Sequence, residues 1–245
     1  TATAIATGDS HTCAILDNES IKCWGANASG QLGLGDTDNR GDESSEMGDT
    51  LLAVDLGSGR TAKVIVAGGS HTCALLDNFA IKCWGLNDSG QLGQNDLNSR
   101  GDSSGEMGDN LDVIDLRSPG RTAASITTGA RHTCVLLDDN NTKCWGYGEY
   151  GQLGRGEKKI ERKPPEEVLD LGTGRTATAI ATGDSHTCAI LDNESIKCWG
   201  ANASGQLGLG DTDNRGDESS EMGDTLLAVD LGSGRTAKVI VAGGS

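Results

Sequence analysis

His71-Thr-Cys-Ala-Leu-Leu-Asp77, then Ile81-Lys-Cys-Trp-Gly85, then Gly90-Gln-Leu-Gly93 is the stretch on which the fold turns. Two short apolar runs flank the polar triplet Asp77-Asn78-Phe79, the pattern of an antiparallel hairpin. The blocks return across the chain. His11, His71, His132 and His186 open them at intervals of 60, 61 and 54 residues, each followed by a tryptophan (Trp24, Trp84, Trp145, Trp199) and by Gly-Gln-Leu-Gly. Self-similarity at such a period marks a repeat architecture.

Working outward, Leu52–Leu56 and Val64–Ala67 are two further β-type runs ahead of the Thr72–Leu76 and Ile81–Trp84 hairpin. One unit therefore reads as four short antiparallel strands, which is a propeller blade. The expected fold is all-β, with tandem four-stranded antiparallel blades of β-propeller type. The expected repeats are residues 1–49, 50–109, 110–165 with a divergent basic loop, and 166–224, and residues 225–245 start a fifth.

These motifs resemble the blade signature of the regulator-of-chromosome-condensation repeat family. The Arg-Gly-Asp and Glu-Met-Gly-Asp segments of the long loop resemble long secreted tandem-repeat proteins of unknown role. The resemblance implies a propeller that usually closes with seven blades. Four hairpins, and an unchanged recurrence of residues 1–70 at 176–245, instead predict an open or superhelical array. The chain starts and stops inside a repeat, so it is expected to be a segment of a longer protein.

Composition narrows the function classes. The net charge of −16 opposes binding to nucleic acid, whose recognition rests on clustered Lys and Arg. No apolar run reaches the ~18 residues that suggest a membrane helix, so no membrane insertion is expected. Aromatics make up only 3% of the chain, leaving Val, Ile, Leu and Ala to fill the interior.

All eight cysteines fall in pairs of one spacing: Cys13/Cys23, Cys73/Cys83, Cys134/Cys144 and Cys188/Cys198. A three-residue hairpin tip places the members of each pair opposite one another, within disulfide range. Four disulfides are expected, and with them an extracellular or cell-surface location. Cys-x9-Cys with a single His lacks a usual zinc set, so no metal and no cofactor are expected. Each His precedes Thr-Cys on a strand without a nucleophile beside it, which suits packing or hydrogen bonding, and no enzyme activity is expected.

Asn-x-Ser/Thr sequons occur at Asn18, Asn27, Asn87, Asn140, Asn193 and Asn202, at hairpin tips or in the Gly-rich loop. They are glycosylation candidates, with Asn27, Asn87 and Asn202 expected to be the exposed set. Arg40-Gly41-Asp42 and its copies read as part of a solvated acidic loop, not as an adhesion ligand. Asp36, Asp38 and Gly41 echo a calcium loop, but Arg40 and Met47 break the EF-hand pattern. The only basic cluster, Gly156 to Pro165, could dock on acidic loops of a neighbouring unit. The expected function is an extracellular structural or adhesive repeat protein that self-associates as a filament or coat. The alternative is a propeller that binds a protein partner.

Overall fold

The computed structural model describes residues 1–244, and they form four antiparallel sheets in chain order. The first contains β1 (Ala2–Thr7), β2 (His11–Leu16) and β3 (Ile21–Gly25), and the second β4 (Ala62–Ala67), β5 (His71–Leu76) and β6 (Ile81–Gly85). The third contains β7 (Ala123–Thr128), β8 (His132–Leu137) and β9 (Thr142–Gly146), and the fourth β10 (Ala177–Thr182), β11 (His186–Leu191) and β12 (Ile196–Gly200). The first strand of each sheet is bulged against the second, which increases its local twist.

The sheets have three strands, not the expected four. Leu52–Leu56 forms no strand and does not open the second blade. It runs beside β3 of the first, where the Val54 N–H donates to the Ile21 carbonyl at 2.9 Å. Ile114, Leu169 and Val229 make the same bond to Ile81, Thr142 and Ile196. The fourth strand is reduced to this bond and to a bridge such as Gly25–Arg40. A turn in which Asp55 accepts the Gly57 amide ends the run before a ladder can form. Residues 225–244, expected to start a fifth repeat, contain no strand, and Val229 and Ile240 pack on the fourth sheet.

Both faces of each inner blade are buried, so the cores lie between blades. Cys13, Ile15, Ile21, Cys23 and Leu32 of the first blade pack against Ile65, Leu76 and Trp84 of the second. The next two interfaces repeat this with Trp145 and Trp199. Alternation along each strand sends one set of side chains to the preceding blade and the other to the following one. One buried tryptophan per interface meets the shortage of aromatics. The inner strands end at a shared axial funnel of about 290 Å³ lined by Gly8, Gly68, Gly129, Gly183 and Gly243, so the blades radiate from one axis.

Candidate interaction surface

The repeated polar residues form two systems: a relay that joins successive blades and a set of loops held rigid above it. In the relay, the Thr72 hydroxyl donates to the Gln31 carbonyl at 2.8 Å, and the Trp84 indole N–H donates to the same oxygen at 3.0 Å. With its proton so used, Thr72 accepts from His11 Nε2 at 2.8 Å. This assigns the neutral Nε2–H tautomer and leaves Nδ1 as a buried lone pair without a partner. His71 reaches Thr133 and His132 reaches Thr187, each at 3.0 Å, and Gln91 and Gln152 supply the shared carbonyls.

Burial pushes the His71 and His132 imidazoles down to about 3 and that of His11 to about 4. Burial lowers His186 as well. His11, His71 and His132 therefore act as neutral hydrogen-bonding groups near neutral pH.

The glycines of Gly-Gln-Leu-Gly admit the next blade. A Cβ on Gly33 would stand 2.7 Å from the Trp84 indole nitrogen, and one on Gly30 would stand 2.3 Å from the Asp102 amide. Both have positive φ, which glycine tolerates best.

Disulfides join Cys13 to Cys23, Cys73 to Cys83, Cys134 to Cys144 and Cys188 to Cys198, each across a Cα–Cα distance of 4.1 Å. Closing such a loop contributes about 2–3 kcal/mol per blade. Each disulfide of the first three blades also lines the pocket that receives the next tryptophan.

The loop sequons contradict their expected exposure. Asn27, Asn87 and Asn202 are 0% exposed. Asn27 Nδ2 donates to the Asp36 carbonyl and carboxylate at 2.9 and 3.0 Å, and its Oδ1 accepts the Leu32 amide. A glycan on that nitrogen would take one of its two N–H donors and has no space at a fully buried position, so these three asparagines are loop organisers. Asn18, Asn140 and Asn193 lie exposed at hairpin tips. The internal comparison carried the missed signal. An Asp stands nine residues after each buried Asn, and where Gly148 replaces the Asn, Glu157 replaces the Asp.

Asp36 also binds the Arg40 guanidinium at 2.6 Å, and the Glu46 carboxylate accepts the Gly41 amide at 2.8 Å. Asp96–Arg100 and Asp211–Arg215 repeat the ion pair. The Arg-Gly-Asp arginine is thus used inside its own loop, and Asp36 has a cation already. Among the described residues no group of three His, Cys, Asp or Glu side chains is placed to hold a metal. No helix of the described residues is long and apolar enough to cross a membrane.

Sequence reading also missed three buried lysines. Lys82 Nζ donates to the Leu56 and Gly108 carbonyls at 3.0 and 2.7 Å, tying the segment entering its blade to the end of the long loop. Lys197 repeats this with Leu171 and Gly223, and Lys143 reaches four carbonyls including Pro165. Burial lowers the pKa of each. A lysine held in every copy between an Ile or Thr and a Cys was the available signal.

The third repeat changes the loop face. Its basic loop meets the acidic loop of the fourth blade through Lys158 and Asp217 at 3.1 Å and through the Gly156 amide on the Gly216 carbonyl at 3.0 Å. The loop face is thereby braced from blade to blade, with one repeat of opposite charge.

The regulator of chromosome condensation (RCC1) repeat model matches residues 2–31, 63–91, 123–152 and 177–206, and a second model of the same description matches residues 144–190. The chain is 30% identical over 209 residues to the ultraviolet-B receptor UVR8 of Arabidopsis thaliana, covering 84% of this chain and 42% of that protein. It superposes on human WBSCR16 with a TM-score of 0.75 at 20% identity, over 100% of this chain and 56% of that one. On yeast RCC1 (Prp20) bound to Kap60 the TM-score is 0.72 at 21% identity, over 98% and 51%. The chain spans less than half of UVR8 and about half of each solved chain. With its hairpins, relay and family match in agreement, this chain belongs to the regulator of chromosome condensation repeat family and folds as blades of its β-propeller.

Proposed function

We propose that this chain is a protein-binding propeller segment that works outside the cell and has no catalytic chemistry of its own. One observation carries the reading: the loops are rigidly braced over a uniform blade interior, and one repeat gives them an unlike, basic sector. A distinctive surface on a stiff scaffold is what specific protein binding needs. The same fold in yeast RCC1 has been seen bound to Kap60, which supports the comparison at the level of architecture. Four disulfides with no free cysteine support an oxidising compartment. Three of the four histidines, which would be the natural acid–base groups, are spent in the relay. The net charge of −16 argues against a nucleic-acid partner.

The test is affinity capture from the source organism's secreted and intracellular fractions, with each candidate purified and its binding measured by calorimetry. A saturable complex with one secreted protein is expected. Candidates that fail to bind once purified would overturn the reading. Intact mass of native material before and after reduction checks the disulfides, and peptide mapping should find glycans, where present, only at Asn18, Asn140 and Asn193.

A second reading, a structural array, is favoured by the identity of residues 1–70 and 176–245. Equivalent units related by one rotation and rise build filaments when they do not close. Electron microscopy of native material separates the two: elongated particles support the array, and compact monodisperse ones refute it.

A further inference from the structure

Three of the four repeats lock one loop segment from within, and the third does not. In the first repeat Asn27 Nδ2 holds the Asp36 carbonyl and carboxylate, and that carboxylate accepts the Asp38 amide at 3.0 Å. Arg40 then donates to the Asp38 and Asn39 carbonyls at 2.8 and 3.0 Å. The second and fourth repeats make the same set around Asp96 and Asp211. The third has Gly148, Glu157 and Glu161 where the others have Asn, Asp and Arg, at unchanged spacings, and those bonds go with them. Among the described residues, 157–160 make no backbone-to-backbone hydrogen bond. The Lys159 carbonyl instead rests on a bare glycine, 2.2 Å from where a Cβ on residue 148 would stand.

The segment left unlocked is Glu157-Lys158-Lys159-Ile160, exposed throughout and without regular structure. Lys158-Lys159 and Arg162-Lys163 are the two pairs of adjacent basic residues in the chain. The second pair is held down. The Arg162 carbonyl accepts the Asn95 amide at 2.8 Å, a Cβ on Gly90 would stand 2.6 Å from the Arg162 Cα, and Pro164 follows Lys163. Lys22, Lys63, Lys82, Lys143 and Lys197 all belong to strands. An endoprotease takes its substrate as an extended strand, so it needs a segment free of its own hydrogen bonds and a side chain that fits its S1 pocket. In the interior of this chain, only the unlocked loop offers a lysine on those terms.

We propose that this loop is a site of limited proteolysis, cut between Lys159 and Ile160 by a serine endoprotease whose S1 pocket carries a carboxylate for lysine. Water is the co-substrate: the Lys159–Ile160 amide bond breaks, Lys159 keeps the new carboxylate and Ile160 the new ammonium group. The ion pairs of Lys159 with Glu157 and Glu161 engage an exposed ammonium group and hold it weakly. No disulfide spans the cut, because Cys134–Cys144 precedes it and Cys188–Cys198 follows it. The halves stay together all the same. Lys158 on one side meets Asp217 on the other, Lys143 holds the Pro165 and Glu166 carbonyls, and Trp199 is buried against the third blade. The cut therefore opens the loop face without dismantling the blades, and it does not depend on the binding function.

The probe is a lysyl-specific serine endoprotease, added at low ratio to the full native chain, with fragments read by intact mass and N-terminal sequencing. Apart from trimming at Lys238, the first cut is expected at Lys159–Ile160. Both fragments should co-elute on native gel filtration and separate in SDS without reductant. The triple variant Gly148→Asn, Glu157→Asp, Glu161→Arg keeps both lysines and restores the lock, so it is cut at least about tenfold more slowly. Thr37→Lys with Asp38→Lys places the same pair on exposed positions of the locked first loop, where it stays uncut, with the fold of both variants checked by circular dichroism. Material from the source organism should include a chain that begins at Ile160. A first cut elsewhere, an unchanged rate in the relocked variant, equal cutting of the pair at 37 and 38, or native material uniformly intact at Lys159 overturns the proposal.

Discussion

Residues 1–70 recur without change at 176–245, yet the described residues of the two copies do not have the same structure. Trp199 is fully buried against the third blade's disulfide, whereas Trp24, which faces no preceding blade, is half-buried. Ile5 is 66% exposed and Ile180 is half-buried. Lys197 reaches two carbonyls, while Lys22 reaches only that of Gly48. At the other end, Ala62–Ala67 is strand β4, paired to β5, but the identical residues 237–242 form no strand, and Val239 and Val241 are 82% and 87% exposed. What differs is the neighbour. A blade's hairpin closes on local information, but its inner strand and its tryptophan take their final environment from adjacent segments.

The largest expected effect comes from removing the same tryptophan at the two sites. Trp199→Ala should cost about 3–5 kcal/mol, read from urea unfolding monitored by circular dichroism. Trp24→Ala should cost less than about 2 kcal/mol, because its ring remains partly wet in the folded chain. Equal losses would mean that burial by the preceding blade does not distinguish the two copies.

Next in size is the relay. Thr187→Val strands the buried His132 Nε2–H without an acceptor and should cost about 1–3 kcal/mol. Thr12→Val, at the matching position, should stay within about 0.5 kcal/mol of wild type. A large effect at Thr12 would show that the threonine stabilises its own blade instead of the interface.

Acidification tests the same relay without mutation. The folded histidines titrate at about 3 for His71 and His132 and about 4 for His11, below the unfolded value of 6.5. The unfolded chain therefore binds protons that the fold refuses. Their contribution is complete above pH 6.5 and declines as pH falls through 6.5 toward the folded values, by about 1.4 kcal/mol per pH unit for each histidine. Urea midpoints should drop between pH 6.5 and 4.5, and His71→Gln should flatten the curve. An unchanged midpoint over that window would place these imidazoles in contact with solvent.

The smallest effect sharpens the contrast between a uniform interior and an irregular rim. Arg117→Gly should raise stability by about 0.5–1 kcal/mol in the same urea assay, because it restores the glycine of the other repeats at a positive φ. A loss of stability would show that the arginine was retained for the fold.

By itself, the sequence determined the unit and its local chemistry. Asp77-Asn78-Phe79 between two β-type runs specifies a hairpin, and that hairpin places Cys73 opposite Cys83, because turn length sets register over so short a span. Its recurrence specified the blades, and the even count of cysteines their pairing. Tertiary structure decided whatever depends on a neighbouring blade. Leu52–Leu56 has the composition of a strand, but it has only one bond to offer the preceding blade's edge and stays irregular. Asn27 reads as an exposed loop residue until Asp36 folds back over it. Lys82 reads as a solvated charge until two carbonyls, 26 residues away on either side, close around its ammonium group. In each case the partner lies outside the local window, and burying a polar group is favourable only once that partner has arrived.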